Sequence, residues 1–192
     1  MTVFTPKIRH FKKPTLYLIS KYAQDFGIVD TSCMAYNASD VECTSEFLDN
    51  SCFRYKVADY GYVGDHYGGA TEYLIRKEVF ENGPIAVSMD ANCLHDYDSG
   101  VWIQPGNTEF CDDRPVNGEM ILRYDPYEYT NHVVLITGWG WDAETGLPFW
   151  NVKNSWGTDF GENGYFRIIR GIDNADIESL PAWSTMIPPY NV

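Results

Sequence analysis

From His132 to Gly171 the chain reads as short apolar strands cut by glycine turns, and that punctuation constrains the fold more than any other feature. The runs are "HVVLITGWGWD" from His132, "PFWNVKNSW" from Pro148 and "GYFRIIRG" from Gly164. Each is rich in β-branched and aromatic residues, which suit a pleated, half-buried surface. Short strands recurring at this spacing predict a twisted antiparallel sheet or barrel.

Upstream, the periodicity changes. "LYLISKYAQDF" places Leu16, Ile19, Tyr22, Ala23 and Phe26 on one face, an amphipathic helix over Leu16–Phe26 closed by Gly27. "FRYKVADYGYVG" predicts a strand ending near Gly64. Thr71–Asn82 follows as a helix, with Thr71 or the preceding glycines at its start and Gly83-Pro84 at its end. "PIAVSMDA" alternates Ile85, Val87 and Met89, again a strand. The stretch from Trp102 to Tyr129 has neither period. A helix-bearing front segment therefore precedes a β-rich body.

Hydrophobic residues at 44% and charged residues at 21% are the proportions of a globular protein, which excludes disorder over most of the length. The net charge of −13 leaves no basic footprint for nucleic acid and no polybasic membrane patch. It serves either to keep the protein dispersed or to suit an acidic compartment. No apolar run approaches the ~20 residues that span a bilayer, and the N-terminal residues show no signal-peptide pattern. Five cysteines, Cys33, Cys43, Cys52, Cys93 and Cys111, leave one unpaired or joined outside the chain. Three of them crowd into a polar segment with little to bury, a loop held by crosslinks rather than by a core. Their spacing is not that of a zinc site. Together with the sequon at Asn37–Ser39, they point to an oxidising compartment.

His132 begins one strand and Asn154 ends the next. Histidine is the commonest general base because its pKa lies near working pH. A neutral amide can orient the imidazole without raising that pKa far. Taken alone, such a pair is more often two polar groups satisfying strand ends. Its surroundings change the reading. "TNHVVLITGWGWDAETGLPFWNVKNSWGTDFGENGYFRIIRG" resembles the histidine-to-asparagine block of the papain family, the C1 cysteine peptidases, through K-N-S-W-G-x-x-[FW]-G-E-x-G-Y-[FW]. "KYAQDFG", "SCFRY", "YGYVG", "TNH", "RGIDNADIES" and the closing "IP" extend the resemblance from about Tyr17 to the end, and are most similar to its dipeptidyl peptidase branch.

The resemblance implies an α+β, papain-like two-lobe fold in one domain over residues 1–192. Residues 14–52 would be the remnant of a truncated helical left lobe, and 53–172 mainly the right lobe, an antiparallel β-barrel. Residues 173–192 would form a C-terminal return. It also implies His132 as base, Asn154 as its orienter, Trp156 as the ring shielding their hydrogen bond, and Thr130 and Asn131 beside the scissile bond. Trp156, Thr130 and Asn131 are thus the expected substrate-binding residues. Tyr62 matches a chloride-site position; no metal and no other cofactor is required. Cys33 and Cys52 match a clamping disulfide, and Cys43 matches a cysteine bonded to an upstream segment, so it is expected free. Cys93 and Cys111 have no family counterpart and are expected to pair with each other. The implied compartment is lysosomal or secretory.

The nucleophile does not carry over. In papain-like enzymes it lies in C-G-[SA]-C-[WY], roughly 130–150 residues before the histidine. No cysteine precedes Cys33, and none of the five has that context. The upstream glutamine of the oxyanion hole is missing as well. His132 then has no thiol to activate, and the chain alone is expected to be inactive. The alternatives are a peptidase whose cysteine lies upstream, acting on peptide or protein substrates once completed, a non-catalytic papain-fold protein that binds or scaffolds, and a site whose nucleophile segment a second polypeptide supplies. A protein partner is expected over the truncated left lobe; nucleic acid and membrane are not.

Overall fold

The computed structural model describes residues 16–35, 39, 52–104 and 130–187. Its first element, α1 (Leu16–Asp25), buries only Ala23 fully. Ile19 and Phe26, expected on its covered face, are 46% and 43% exposed. Tyr17 turns instead onto the neighbouring strand β1 (Val57–Tyr62), its ring 4.7 Å from that of Tyr60 and stacked 5.1 Å from that of Tyr62. Between α1 and β1, Ile28 bridges Tyr55, and a disulfide joins Cys33 to Cys52 across 6.1 Å between their Cα atoms. The crosslink is the one expected.

Helix α2 (Glu72–Asn82) starts where the Thr71 hydroxyl accepts the N–H of Leu74, a cap that satisfies one of the orphan donors of the first turn. Ile75 and Val79 face inward. Strand β2 (Ile85–Met89) buries Ile85, Val87 and Met89 and half-covers the residues between, as its alternation predicts. The remaining strands are β3 (Val101–Trp102), β4 (His132–Trp141), β5 (Pro148–Lys153), β6 (Tyr165–Ile169) and β7 (Ala182–Met186).

These strands form one seven-stranded sheet in the order β1-β7-β2-β4-β5-β6-β3, antiparallel except where β3 runs parallel to β6. Here the expected barrel needs correction. Among the described residues the sheet stays open, with β1 and the two-residue β3 at opposite edges. Closure requires the edge strands to pair, and neither does so with the other. The core lies on the sheet under α2, where Ile75, Val87, Met89, Ile136, Trp150 and Phe166 are fully buried. Gly140 lets β4 and β5 approach, since a Cβ there would stand 2.7 Å from the Phe149 ring.

The return from β6 to β7 is tied down by one buried carboxylate. Glu178 accepts hydrogen bonds from Trp150 Nε1 at 2.7 Å, Gly171 N at 2.6 Å and Asp173 N at 3.1 Å. Arg170 pairs with Glu72 and lies 5.6 Å from the Trp150 ring centroid, joining the same return to α2. Residues 1–14, the Asn37 sequon, Cys43, Cys111 and the stretch 105–129 lie outside the described residues. Among those described, no helix is long and apolar enough to cross a membrane, and no three His, Cys, Asp or Glu side chains are grouped to hold a metal ion.

Candidate active site

Antiparallel pairing of β4 with β5 brings the start of one beside the end of the other. His132 is the first residue of β4, in register with Met89 of β2. Asn154 is the residue after β5, its N–H bonded to the Gly164 carbonyl at 2.9 Å. The two side chains meet, with His132 Nε2 2.8 Å from Asn154 Oδ1.

The second partner of that oxygen settles the proton's position. Asn154 Oδ1 also accepts the backbone N–H of Ser155 at 2.8 Å. A backbone N–H can only donate, so the amide cannot be flipped without setting two donors against each other. The oxygen therefore faces His132, and Nε2 must be the protonated ring nitrogen. That leaves Nδ1 with its lone pair, the atom able to take a proton. Asn154 is only 8% exposed, and among the described residues its Nδ2 has no hydrogen-bond partner. An amide held with one buried donor unmet costs stability, which fits a side chain placed to orient another group.

Trp156 covers the pair. Its indole lies 4.9 Å from the His132 ring, tilted by 31°. The His95 ring stacks on the same indole at 4.6 Å and 6°, and Phe160 meets it edge-on at 4.9 Å. The loop carrying Trp156 is shaped by Gly161, which has φ +48 and no room for a Cβ, the Tyr97 ring standing 2.8 Å away. Beneath it, Arg167 binds Glu162 in a fork and reaches Asp142 at 2.7 Å. Glu162 also accepts the Gly100 N–H at 3.0 Å.

The electrostatics follow these contacts. Arg167 hydrogen bonds hold the Glu162 carboxyl below its ordinary range. The N–H and hydroxyl of Thr145, with Arg167, hold Asp142 down to about 2. Burial pushes Tyr97 up to about 12, so it remains a phenol donating to the Gly100 carbonyl at 2.8 Å. Partial burial likewise raises Tyr62, whose ring is flanked by those of Tyr17 and Tyr67.

The other expected residues fall as follows. Thr130 is buried, at 7% exposed, immediately before Asn131 and His132. The Asn131 side chain binds the end of β2, through Ala91 N at 2.9 Å and Asn92 Oδ1 at 2.8 Å. Tyr62 lies on β1, away from the His132–Asn154 pair in the sheet order. Cys33, Cys52 and Cys93 are all disulfide-bonded, so none of the described cysteines offers a thiolate; Cys111, the expected partner of Cys93, lies outside the described residues. Sequence reading missed His95, whose contact with Trp156 spans a long loop and leaves no local signal. It missed as well the Arg167 fork, although both members lie within "GENGYFR".

The model of the family described as "Papain family cysteine protease" matches residues 16–185. A cathepsin C from Schistosoma mansoni is 37% identical over 165 residues, 85% of this chain and 34% of that protein. A dipeptidyl aminopeptidase 1 from Plasmodium falciparum is 32% identical over 66% of this chain and 19% of its own length. Among solved structures, a digestive procathepsin L2 proteinase from the larval midgut of Tenebrio molitor aligns with a TM-score of 0.66 at 28% identity, over 87% of this chain and 45% of that one. The chain thus spans about a third or less of the length of these two curated relatives.

Proposed function

The chain belongs to the papain family of cysteine proteases, and on that premise we propose that it carries the base and orienting half of a thioester-forming peptidase site. The observation behind this reading is the His132 Nε2–H to Asn154 Oδ1 bond with its amide fixed by Ser155. His132 Nδ1 takes the thiol proton from a cysteine borne outside these residues. The thiolate attacks the scissile carbonyl carbon, and the imidazolium returns the proton to the departing amine. Water then cleaves the thioester, with His132 again as base. Asn154 holds the ring for both transfers, and Trp156 keeps water from their hydrogen bond. Thr130 and Asn131, next to the base, line the substrate's path.

Peptides or proteins are the substrates of the completed site. The Cys33–Cys52 disulfide supports a lysosomal or secretory setting. A chloride at Tyr62 would accept the hydroxyl of a phenol whose pKa partial burial raises. No step of the reaction depends on it.

Without the thiol the chain does not form an acyl-enzyme. Incubation of the full chain with an epoxide cysteine-protease probe, followed by mass spectrometry, is expected to show no adduct. A stoichiometric adduct on any of its five cysteines, lost in His132→Ala, would overturn that prediction. A second reading, a non-catalytic binding protein, is favoured by the exposed α1 face, which a protein partner would cover.

A further inference from the structure

We infer that Asp90 is a positioning residue for His132: its buried carboxylate holds Asn131 and so fixes the first rung of β4. The inference rests on the reading of His132 and Asn154 as a catalytic pair. Asp90 lies just past β2 and is 2% exposed. A carboxylate so buried is tolerated only when its oxygens are hydrogen-bonded, and these are. Oδ1 accepts Asn92 N at 3.1 Å and Asn131 Nδ2 at 3.4 Å, and Oδ2 accepts Gln104 Nε2 at 3.1 Å. Its own N–H donates to the Ala175 carbonyl at 2.8 Å.

The held residue is the one before the base. Asn131 N donates to Met89 O at 3.0 Å, and its side-chain Oδ1 accepts Ala91 N at 2.9 Å. The side chain thereby stands in for a backbone carbonyl and extends the β2–β4 ladder one rung beyond the Met89–His132 pair. Nδ2 is spent on Asn92 Oδ1 and Asp90 Oδ1. With both ends of the amide committed, the backbone entering His132 is restrained against fraying. Misplacing a catalytic group by about 1 Å can cost on the order of a hundredfold in rate, so this restraint bears on function as well as stability.

Donors from Asn92, Asn131 and Gln104 converge on the two oxygens, and Asp90→Ala removes the acceptor of the Asn131 amide. Loss of that bond frees Asn131, and the Nε2–H to Asn154 contact weakens with it. Asp90 touches no reacting atom; it acts through Asn131.

The test uses the full chain with 15N-labelled histidine. Long-range proton–nitrogen spectra show which ring nitrogen of each neutral histidine carries hydrogen, and His132→Ala identifies the His132 signals. The wild-type ring is expected as a single Nε2–H tautomer. Asp90→Ala and Asn131→Ala are each expected to replace that pattern with mixed or exchange-broadened tautomers while the protein still melts cooperatively. The double variant should be no worse than the more severe single one. A wild-type His132 pattern in either folded variant overturns the inference; if Asp90→Ala does not fold, Asn131→Ala, at an exposed residue, decides it. A wild-type ring without an Nε2 proton would instead sink the catalytic pair, which separates the two failures. No turnover enters the measurement, so an inactive completed enzyme would leave this result standing.

Discussion

Single side chains carry unusual responsibility where they are buried and charged. Glu178 has three donors, and only one of them, Trp150 Nε1, comes from a side chain that can be changed without touching the backbone. Trp150 is fully buried at the centre of β5, so Trp150→Phe removes a donor from a carboxylate whose residue is only 8% exposed. The expected cost is about 1–3 kcal/mol, with some packing loss added, read as a lower midpoint of denaturant unfolding at unchanged slope. An unchanged midpoint in Trp150→Phe would mean that Glu178 does not anchor the return. At the N-terminal cap of α2, Thr71→Ala should cost about 1 kcal/mol through the lost hydrogen bond.

Among elements, the joint between β6, the Trp156 loop and the turn after β4 rests on Arg167 and two carboxylates. Both carboxyls, Asp142 and Glu162, are held below their ordinary ranges. Their charged forms are therefore favoured by folding, and the stability they contribute is complete above the ordinary carboxylate pKa. It is lost as pH falls toward about 2, where Asp142 titrates. Melting temperature should accordingly decline between roughly pH 4.5 and 2, and Glu162→Gln should flatten that decline. A pH–melting curve for Glu162→Gln superimposable on that of the wild type would exclude the fork as a source of the acid sensitivity.

At the scale of the whole molecule, a group of apolar residues ahead of β1 is left partly uncovered. Tyr17, Ile19, Phe26, Ile28, Met34 and Phe53 range from 36% to 52% exposed. Contiguous apolar surface of several hundred Å² is about the limit of what soluble monomers leave bare. The isolated chain is expected to bind a hydrophobic dye and to self-associate or co-purify with a partner. Light scattering alongside dye fluorescence tests this. A monomer that binds no dye and melts sharply would mean that this face is covered in solution.

What the sequence determined by itself was everything that rests on local pattern. The alternation in "PIAVSMDA", the Thr71 cap, and the Val, Ile and Trp runs between glycines were each legible within a few residues, because secondary structure answers to propensity and burial period. The His132–Asn154 pair was legible too, through a motif whose order matches the pairing of β4 with β5. That the sheet stays open among the described residues was not, and neither was the insertion of β7 beside β1, which joins residues more than a hundred apart. Strand pairing is satisfied by backbone hydrogen bonds that any sequence can offer, so partner choice leaves little trace in composition. The same holds for side chains recruited across loops. His95 on Trp156 and Asp90 on Asn131 became partners only when tertiary packing brought β2 against β4 and turned the following loop toward Trp156. Local chemistry chose the elements; long-range burial and hydrogen-bond satisfaction decided which of them would meet.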